Sequence, residues 1–145
     1  MEDEARRTLR QIREILVDLI VSLSRLIFFW VPGGDIAIGH SLRVFHPMLV
    51  FVILGAFFLS PPRHPMRLLI VCLAIFTAAT QWLLSGCIIT RAEQKLTNEK
   101  HTIVDPFLTL ARIPVNRDTR MTATISCGTF GALLLVWAYL CDYLR

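Results

Sequence analysis

The chain has 145 residues and a formal net charge of +4, and 54% of its residues are hydrophobic while 18% are charged. Its mean hydropathy of +0.58 exceeds that of ordinary soluble domains. The apolar residues also gather into long runs that are apolar on all sides and therefore need lipid around them. These features exclude an ordinary soluble domain and predict an all-α integral membrane protein, a small bundle of transmembrane helices.

The N-terminal segment, residues 1–31, can be read in two ways. Its apolar run from Glu14 to Val31 is long enough to span a membrane. However, polar residues recur along the same helix at three- and four-residue steps and form one polar stripe. The stripe consists of Arg7, Glu14, Asp18, Ser22 and Arg25. An Asp or Arg at mid-membrane costs roughly 2.5 to 3.5 kcal/mol, which about cancels the gain from the apolar residues nearby. The pattern predicts either an amphipathic interfacial helix or a first transmembrane helix.

Three later segments, at about residues 36–60, 67–86 and 122–140, are predicted to span the membrane. Asp35, in "PGGD", is expected to cap the first span, and Pro47 lies within that span. The sequence "PPRHP" that follows is short enough to predict an antiparallel helical hairpin. Aromatic residues at the far end of the third span are typical of interface anchors: Trp137, Tyr139 and Tyr143.

The loop between the last two spans, residues 87–121, is polar except for one apolar island. Asp105 followed by Pro106 is a good helix start, and the apolar residues after it come to an end at Pro114. This pattern predicts a short amphipathic helix that lies on the membrane surface.

The basic residues bear on the number of spans and on their orientation. With four spans, each membrane face carries seven Lys and Arg residues, whereas three spans with the N-terminal helix beside the long loop give twelve against three. Because basic residues concentrate on the cytoplasmic face, this bias favours three spans and a cytoplasmic loop 87–121. Since the basic residues flank spans, the expected partners are the lipid bilayer and its anionic headgroups, and no nucleic acid.

Six residues that could bind a ligand are expected at the face of the long loop, because the second span ends where the first begins. They are His40, Arg43, His46, Cys87, Thr90 and Glu93. Imidazole and thiolate would suit haem or a metal. However, His40 and His46 are about 240° apart around a helix, and no set of residues has the spacing of a metal motif. The alternative for Glu93 is a structural bond to Arg43, to Arg91 or to a backbone amide.

Three polar residues are candidates for a role inside the membrane: Asp18, Arg25 and Gln81. Intramembrane polar groups suggest function because lipid penalises them, although Gln often serves only as a hydrogen-bonding contact between helices. A transport role for Asp18 requires the N-terminal helix to cross the membrane.

No motif of a known catalytic site is present: the sequence has no C-x-x-C pair, P-loop, nucleophile elbow or H-E-x-x-H. It therefore assigns no catalytic residue, no metal ligand and no cofactor. Small residues in "TATISCGTFGA" would let the third span pack closely on a neighbour, which motivates a homo-oligomer or a larger assembly.

The segment "GCIITRAEQKL" resembles part of an uncharacterised family of small bacterial integral membrane proteins. In that family a histidine near a first span is followed by a second span that ends in Cys-Pro-Leu-Thr-x-x-Glu, a short amphipathic segment and a last span. The resemblance covers residues 36–145, matches Cys87, Thr90 and Glu93, and implies a three-span core but no reaction. Ile88 stands where the family has proline, which leaves open a helix that continues to Leu96.

The leading functional hypothesis is a non-enzymatic, multi-pass membrane protein of structural or assembly type. The first alternative is a haem-, metal- or ligand-binding protein that uses His40, His46, Cys87 and Glu93. The second is a small transporter or channel with Asp18 as its intramembrane acid.

Overall fold

A computed structural model describes the backbone of residues 2–144 and the side chains of residues 4–144. Over this range the chain forms six helices and no strand, which confirms the all-α prediction. The helices are α1 (Glu2–Ile27), α2 (Gly34–Leu59), α3 (Pro65–Leu83), α4 (Ile88–Thr97), α5 (Asp105–Leu110) and α6 (Arg117–Leu144).

Three of these helices, α2, α3 and α6, are long and apolar enough to cross a membrane, and they coincide with the predicted spans. In the most apolar part of each helix, no more than 17% of the residues are buried within the protein. Most of their apolar side chains therefore face outward, as expected where lipid rather than protein covers them. Helix α1 is equally long, with 26 residues, but it is not apolar enough to belong to this group.

One end of the bundle, which we call the hairpin side, is where residues 60–64 join α2 to α3. His64 caps α3 by accepting a hydrogen bond from the Met66 amide at 3.2 Å, and Pro65 starts the helix. The core at this end consists of Phe57, Ile70, Val71 and Leu135, from α2, α3 and α6. The short connection thus forms the antiparallel hairpin that the sequence predicts.

The opposite end, the loop side, is where α3 ends and α4 begins. Here α1, α4 and the first half of α2 pack together as a three-helix layer around Val17, Val21, Ile38, Leu42, Ala92 and Leu96. Gly39 makes this packing possible, because a Cβ atom there would lie 2.5 Å from Thr97 Cγ2 and 3.0 Å from Leu96 Cβ. The layer therefore depends on a glycine where α2 and α4 meet.

The expectation that helix could continue from the second span to Leu96 is wrong. The chain breaks between α3 and α4 because Ser85 and Gly86 adopt positive φ angles of 55° and 126°. The Gly86 amide donates to Gln81 O at 2.8 Å and the Ser85 amide to Trp82 O at 3.4 Å, the pattern of a Schellman motif. A left-handed turn ends the helix without the proline that Ile88 replaces.

Two further local predictions are corrected in detail. Asp35 does not cap α2: Gly33 holds the cap position, and the Asp35 carboxylate pairs instead with Arg25. The predicted surface helix is present as α5, but it ends at Leu110 and not at Pro114. Arg112, two residues after the helix, has a left-handed conformation with φ of 57°. The predicted polar loop also contains a second helix, α4.

The surface of α1 is divided into three faces. One face, with Val17, Val21 and Ser24, is buried against the layer, and a second carries exposed polar groups such as Asp18 and Arg25. The third is an exposed apolar stripe at helical spacing, formed by Leu9, Ile12, Ile15, Leu19, Leu23 and Leu26. Such a stripe beside a polar face is typical of a helix at a membrane surface.

Candidate functional site

Helix α4 separates the residues that the sequence places together. Glu93 lies on its buried face, toward α2, whereas Thr90 and Arg91 line a cavity on its other side. Cys87, at the N-terminal end of α4, belongs to the cavity and also contacts α2. The predicted site is therefore two neighbouring arrangements rather than one.

The first arrangement is a clamp of ion pairs between α2 and the end of α4. Arg43 donates from Nε to Glu93 at 2.5 Å and from Nη2 to Glu99 at 2.9 Å. The side chain of Glu93 is only 4% exposed, and the hydrogen bond from Arg43 lowers the pKa of Glu99. Of the three partners considered for Glu93, the structure shows Arg43, and Glu93 thereby has a structural partner.

The second arrangement centres on the thiol of Cys87. Its Sγ lies 3.9 Å from His46 Nε2, a contact that joins the start of α4 to α2. Burial alone would raise the Cys87 pKa, but hydrogen bonds from His46 and Thr90 outweigh it and lower the pKa below its usual value. Cys87 thus has more thiolate character than an ordinary buried cysteine.

A cavity of about 350 Å³ opens beside Cys87 between α4, the segment that follows α4, and the start of α6. Most of the residues that line it are polar or basic: Ser85, Gly86, Cys87, Thr90, Arg91, Gln94, Lys100, Thr102, Arg117, Arg120, Met121 and Thr124. We call it the cationic cavity, because four of these residues carry positive charge and none carries negative charge. A cavity of this kind can hold an anion.

One of the four cations is neutralised. Arg120 makes a two-pronged ion pair with Asp105, at 2.7 Å for both contacts, and Thr102 also donates to that carboxylate. Although burial acts to raise it, the pKa of Asp105 falls to about 2 because of these bonds. The pair anchors α5 to the start of α6 and fixes one wall of the cavity.

None of the other three cations forms an ion pair with a described residue, although Glu14 attracts Arg91. Arg91 donates to Ser85 O at 2.9 Å, whereas no described carboxylate pairs with Lys100 or Arg117. Burial and repulsion from Arg13 and Arg117 lower the pKa of Arg91. The cavity therefore carries an excess of positive charge.

The geometry does not favour the haem or metal hypothesis. His40 lies on the exposed surface near Glu99, apart from the contact between His46 and Cys87, and Glu93 is occupied by Arg43. Over the described residues, no group of three or more His, Cys, Asp or Glu side chains could hold a metal ion. The four cysteines are all free thiols.

The three polar residues considered for a role inside the membrane lie in different surroundings. Asp18, with a side chain 60% exposed, pairs with Lys95 of α4, and Arg25 pairs with Asp35 at 2.6 Å. Both pairs belong to the three-helix layer. Gln81 packs against α6, where a Cβ on Gly128 would lie 2.2 Å from its Oε1, and this buried oxygen has no hydrogen-bond partner.

Sequence reasoning missed two features. It counted Arg67 as a charge flanking a span, yet Arg67 is buried on the hairpin side and joined to Asp142. The signal was available, since Asp142 is the only acidic residue expected there with three spans. It also missed the convergence of Lys100, Arg117 and Arg120, which depends on how α5 turns back toward α6.

Comparison of the chain with protein-family models, with curated proteins and with solved structures gave no match in any of the three. The resemblance to the bacterial membrane family therefore stays a prediction.

Proposed function

We propose that the chain is a non-enzymatic, multi-pass membrane protein that acts by packing against lipid and against other membrane components. In this proposal α2, α3 and α6 cross the bilayer, while the three-helix layer and α5 lie at one membrane surface. The observation that carries the proposal is the exposed apolar stripe of α1, next to a polar face and opposite a face packed on protein.

The position of α1 supports this arrangement. It packs on α4, and the pair between Asp18 and Lys95 joins the two helices. Because α4 follows the end of α3 directly, α1 belongs to the same side of the bundle as the long loop. This placement gives the distribution of twelve basic residues against three, so we assign the loop side to the cytoplasm and to anionic headgroups.

Exposed apolar residues of the long loop support the same surface. Phe107 and Leu110 of α5 are 70% and 84% exposed, and Ile113 and Val115 follow them. Together with the stripe of α1 they form a second apolar contact with the interfacial region of the bilayer. Both contacts lie on the loop side.

The small residues of α6 support an assembly only in part, because some of them pack within the chain. Gly128 receives Gln81 of α3, and Ala132 is buried. Ser126, Cys127 and Phe130 remain exposed on another face of α6, which is available to a second copy or to a partner. Cross-linking in native membranes should yield an oligomer or a complex, and a strictly monomeric species would contradict this part of the proposal.

The position of α1 can be tested with spin labels in bilayers. After the native cysteines are replaced, Leu19→Cys places a label on the apolar stripe, and Ser22→Cys places a matched label on the polar face. We expect the label at 19 to collide mainly with oxygen, which dissolves in lipid, and the label at 22 with a water-soluble nickel chelate. Equal shielding of both positions from the chelate would indicate that α1 crosses the membrane, and would overturn this arrangement.

A further inference from the structure

We propose that the cationic cavity is a binding site for a phosphate group, carried either by a lipid headgroup or by a soluble phosphate compound. This proposal rests on the proposed function only if the phosphate belongs to a lipid, because a soluble anion does not require α1 to lie at the membrane surface. Three features of the cavity support this site: unbalanced charge, suitable donors and suitable size.

The first feature of the cavity is its unbalanced charge. Among the described residues, Arg91, Arg117 and Lys100 line the cavity without an ion pair, while Asp105 neutralises Arg120. Glu14 attracts Arg91 electrostatically but does not line the cavity. Three unpaired cations that share a concave surface repel one another. A bound anion relieves this repulsion. The cost of removing water from the anion is partly offset because the cations that bind it are already in position.

The second feature is the set of hydrogen-bond donors around these charges. Ser85 and Thr124 line the same space and carry hydroxyl groups, whereas the hydroxyls of Thr90 and Thr102 already donate to Cys87 and Asp105. The N-terminal turn of α4 also borders the cavity, since Cys87 and Thr90 both belong to its lining. Guanidinium, ammonium and hydroxyl donors around a positive helix end are the groups that bind phosphate oxygens in proteins.

The third feature is the size of the cavity. A volume of about 350 Å³ exceeds the needs of a single phosphate ion and falls within the range of small-molecule sites. The site can therefore take a phosphate that carries an organic substituent, such as a lipid headgroup. Its wall provides no exposed aromatic surface for stacking a base, which disfavours a nucleotide.

Cys87 offers a direct measure of occupancy, because its thiol belongs to the cavity wall. A protein with Cys72→Ala, Cys127→Ala and Cys141→Ala retains this thiol alone. Its rate of alkylation by a maleimide should fall when an anion fills the space in front of it. This readout does not depend on knowing what the protein does in the cell.

The experiment uses the full chain with Cys87 as its one thiol, in nanodiscs and at constant ionic strength. In phosphatidylcholine discs, inorganic phosphate is titrated as the soluble probe. In a second arm, phosphatidic acid replaces part of the phosphatidylcholine. We expect saturable slowing of alkylation in at least one arm, and Arg117→Gln should raise the half-protection level by about tenfold because one charged contact is lost.

Two variants make the result specific. Arg63→Gln removes the same charge on the hairpin side and should leave protection unchanged, and Lys100→Gln gives a second test inside the cavity if Arg117→Gln does not fold. Protection by phosphate identifies a soluble anion, and protection by phosphatidic acid alone identifies a headgroup. No protection in either arm, or equal protection after Arg117→Gln and Lys100→Gln, would overturn the site. The spin-label result for α1 is independent of both outcomes.

Discussion

The two ends of the bundle are each joined by one arginine, but in different surroundings. On the hairpin side, Arg67 reaches α2 through Ser60 O at 2.9 Å and α6 through Asp142, and its guanidinium lies 5.1 Å from the centre of the Phe57 ring. On the loop side, Arg43 of α2 pairs with Glu93 in α4 and with Glu99 just after α4. Helix α4 has 10 residues and is too short to span a membrane. One arginine therefore joins three long helices, and the other attaches a surface layer.

The difference between the two arginines shows how the fold is divided. The long apolar helices bury few residues against each other, as expected for helices whose surfaces lipid can solvate as well as protein would. Polar contacts at their ends then determine how they are arranged. The loop side instead has its own small apolar core and further ion pairs, so its stability is shared among more contacts.

The largest effect is expected from Arg67→Gln. The substitution leaves Asp142 and two carbonyl oxygens without their cation in a site where Arg67 is only 7% exposed. We expect the free energy of unfolding to fall by about 3 kcal/mol, as for other broken ion pairs that are largely buried. Unfolding in mixed micelles would measure it, with Arg63→Gln as the control from the same turn. A loss no greater than that of the control would show that Arg67 does not join the three helices.

A smaller loss is expected on the loop side from Glu93→Gln. The buried carboxylate is removed, but Arg43 is partly exposed and keeps Glu99 as a partner. We expect a loss of about 2 kcal/mol, and a much smaller loss for Glu99→Gln, whose side chain is more exposed. The same unfolding measurement compares the two variants. If they were equally destabilised, the clamp would not depend on the buried contact.

Gly39→Ala tests the packing of the layer without changing its charge. The new methyl group would collide with the side chains of Thr97 and Leu96, both of which are buried. We expect a loss of about 1.5 kcal/mol together with faster proteolysis in the segment around α4. Gly55→Ala is the matched control in the same helix, since a Cβ there meets no atom within 4 Å. Similar losses for both glycines would point to helix flexibility instead of a close contact.

The sequence predicts the long helices well because the physical requirement is simple. A run that is apolar on all sides must meet lipid, and the three predicted spans match α2, α3 and α6 closely. It also places Arg43 near Glu93, as one of three possible partners, because the order of the spans brings both residues to one face. In each case the relevant information lies in a single run or in the topology.

Other features could not be predicted by the same reasoning. Hydropathy treats Arg67 as the boundary of a span, since it has no measure of a guanidinium buried against its own hairpin. The end of α3 depends on the left-handed conformation of Ser85 and Gly86, whereas the resemblance directed attention to Ile88. The cationic cavity brings together Arg91, Lys100 and Arg117, and the folded path of the segment between α4 and α6 determines that they meet.

The smallest effect on stability is expected from Asp18→Asn, and it decides to which region α1 belongs. If α1 lies on the surface, Asp18 is hydrated and its exposed pair with Lys95 contributes less than about 0.5 kcal/mol. If α1 crossed the bilayer, neutralising an acid at mid-membrane would instead stabilise the protein by roughly 2 kcal/mol or more. Unfolding in bilayers at neutral pH measures the difference, and Glu14→Gln, at another exposed acid of α1, is the control. A near-zero change would place α1 with the loop-side layer, whereas a large gain would make it a fourth span and restore Asp18 as a candidate for transport.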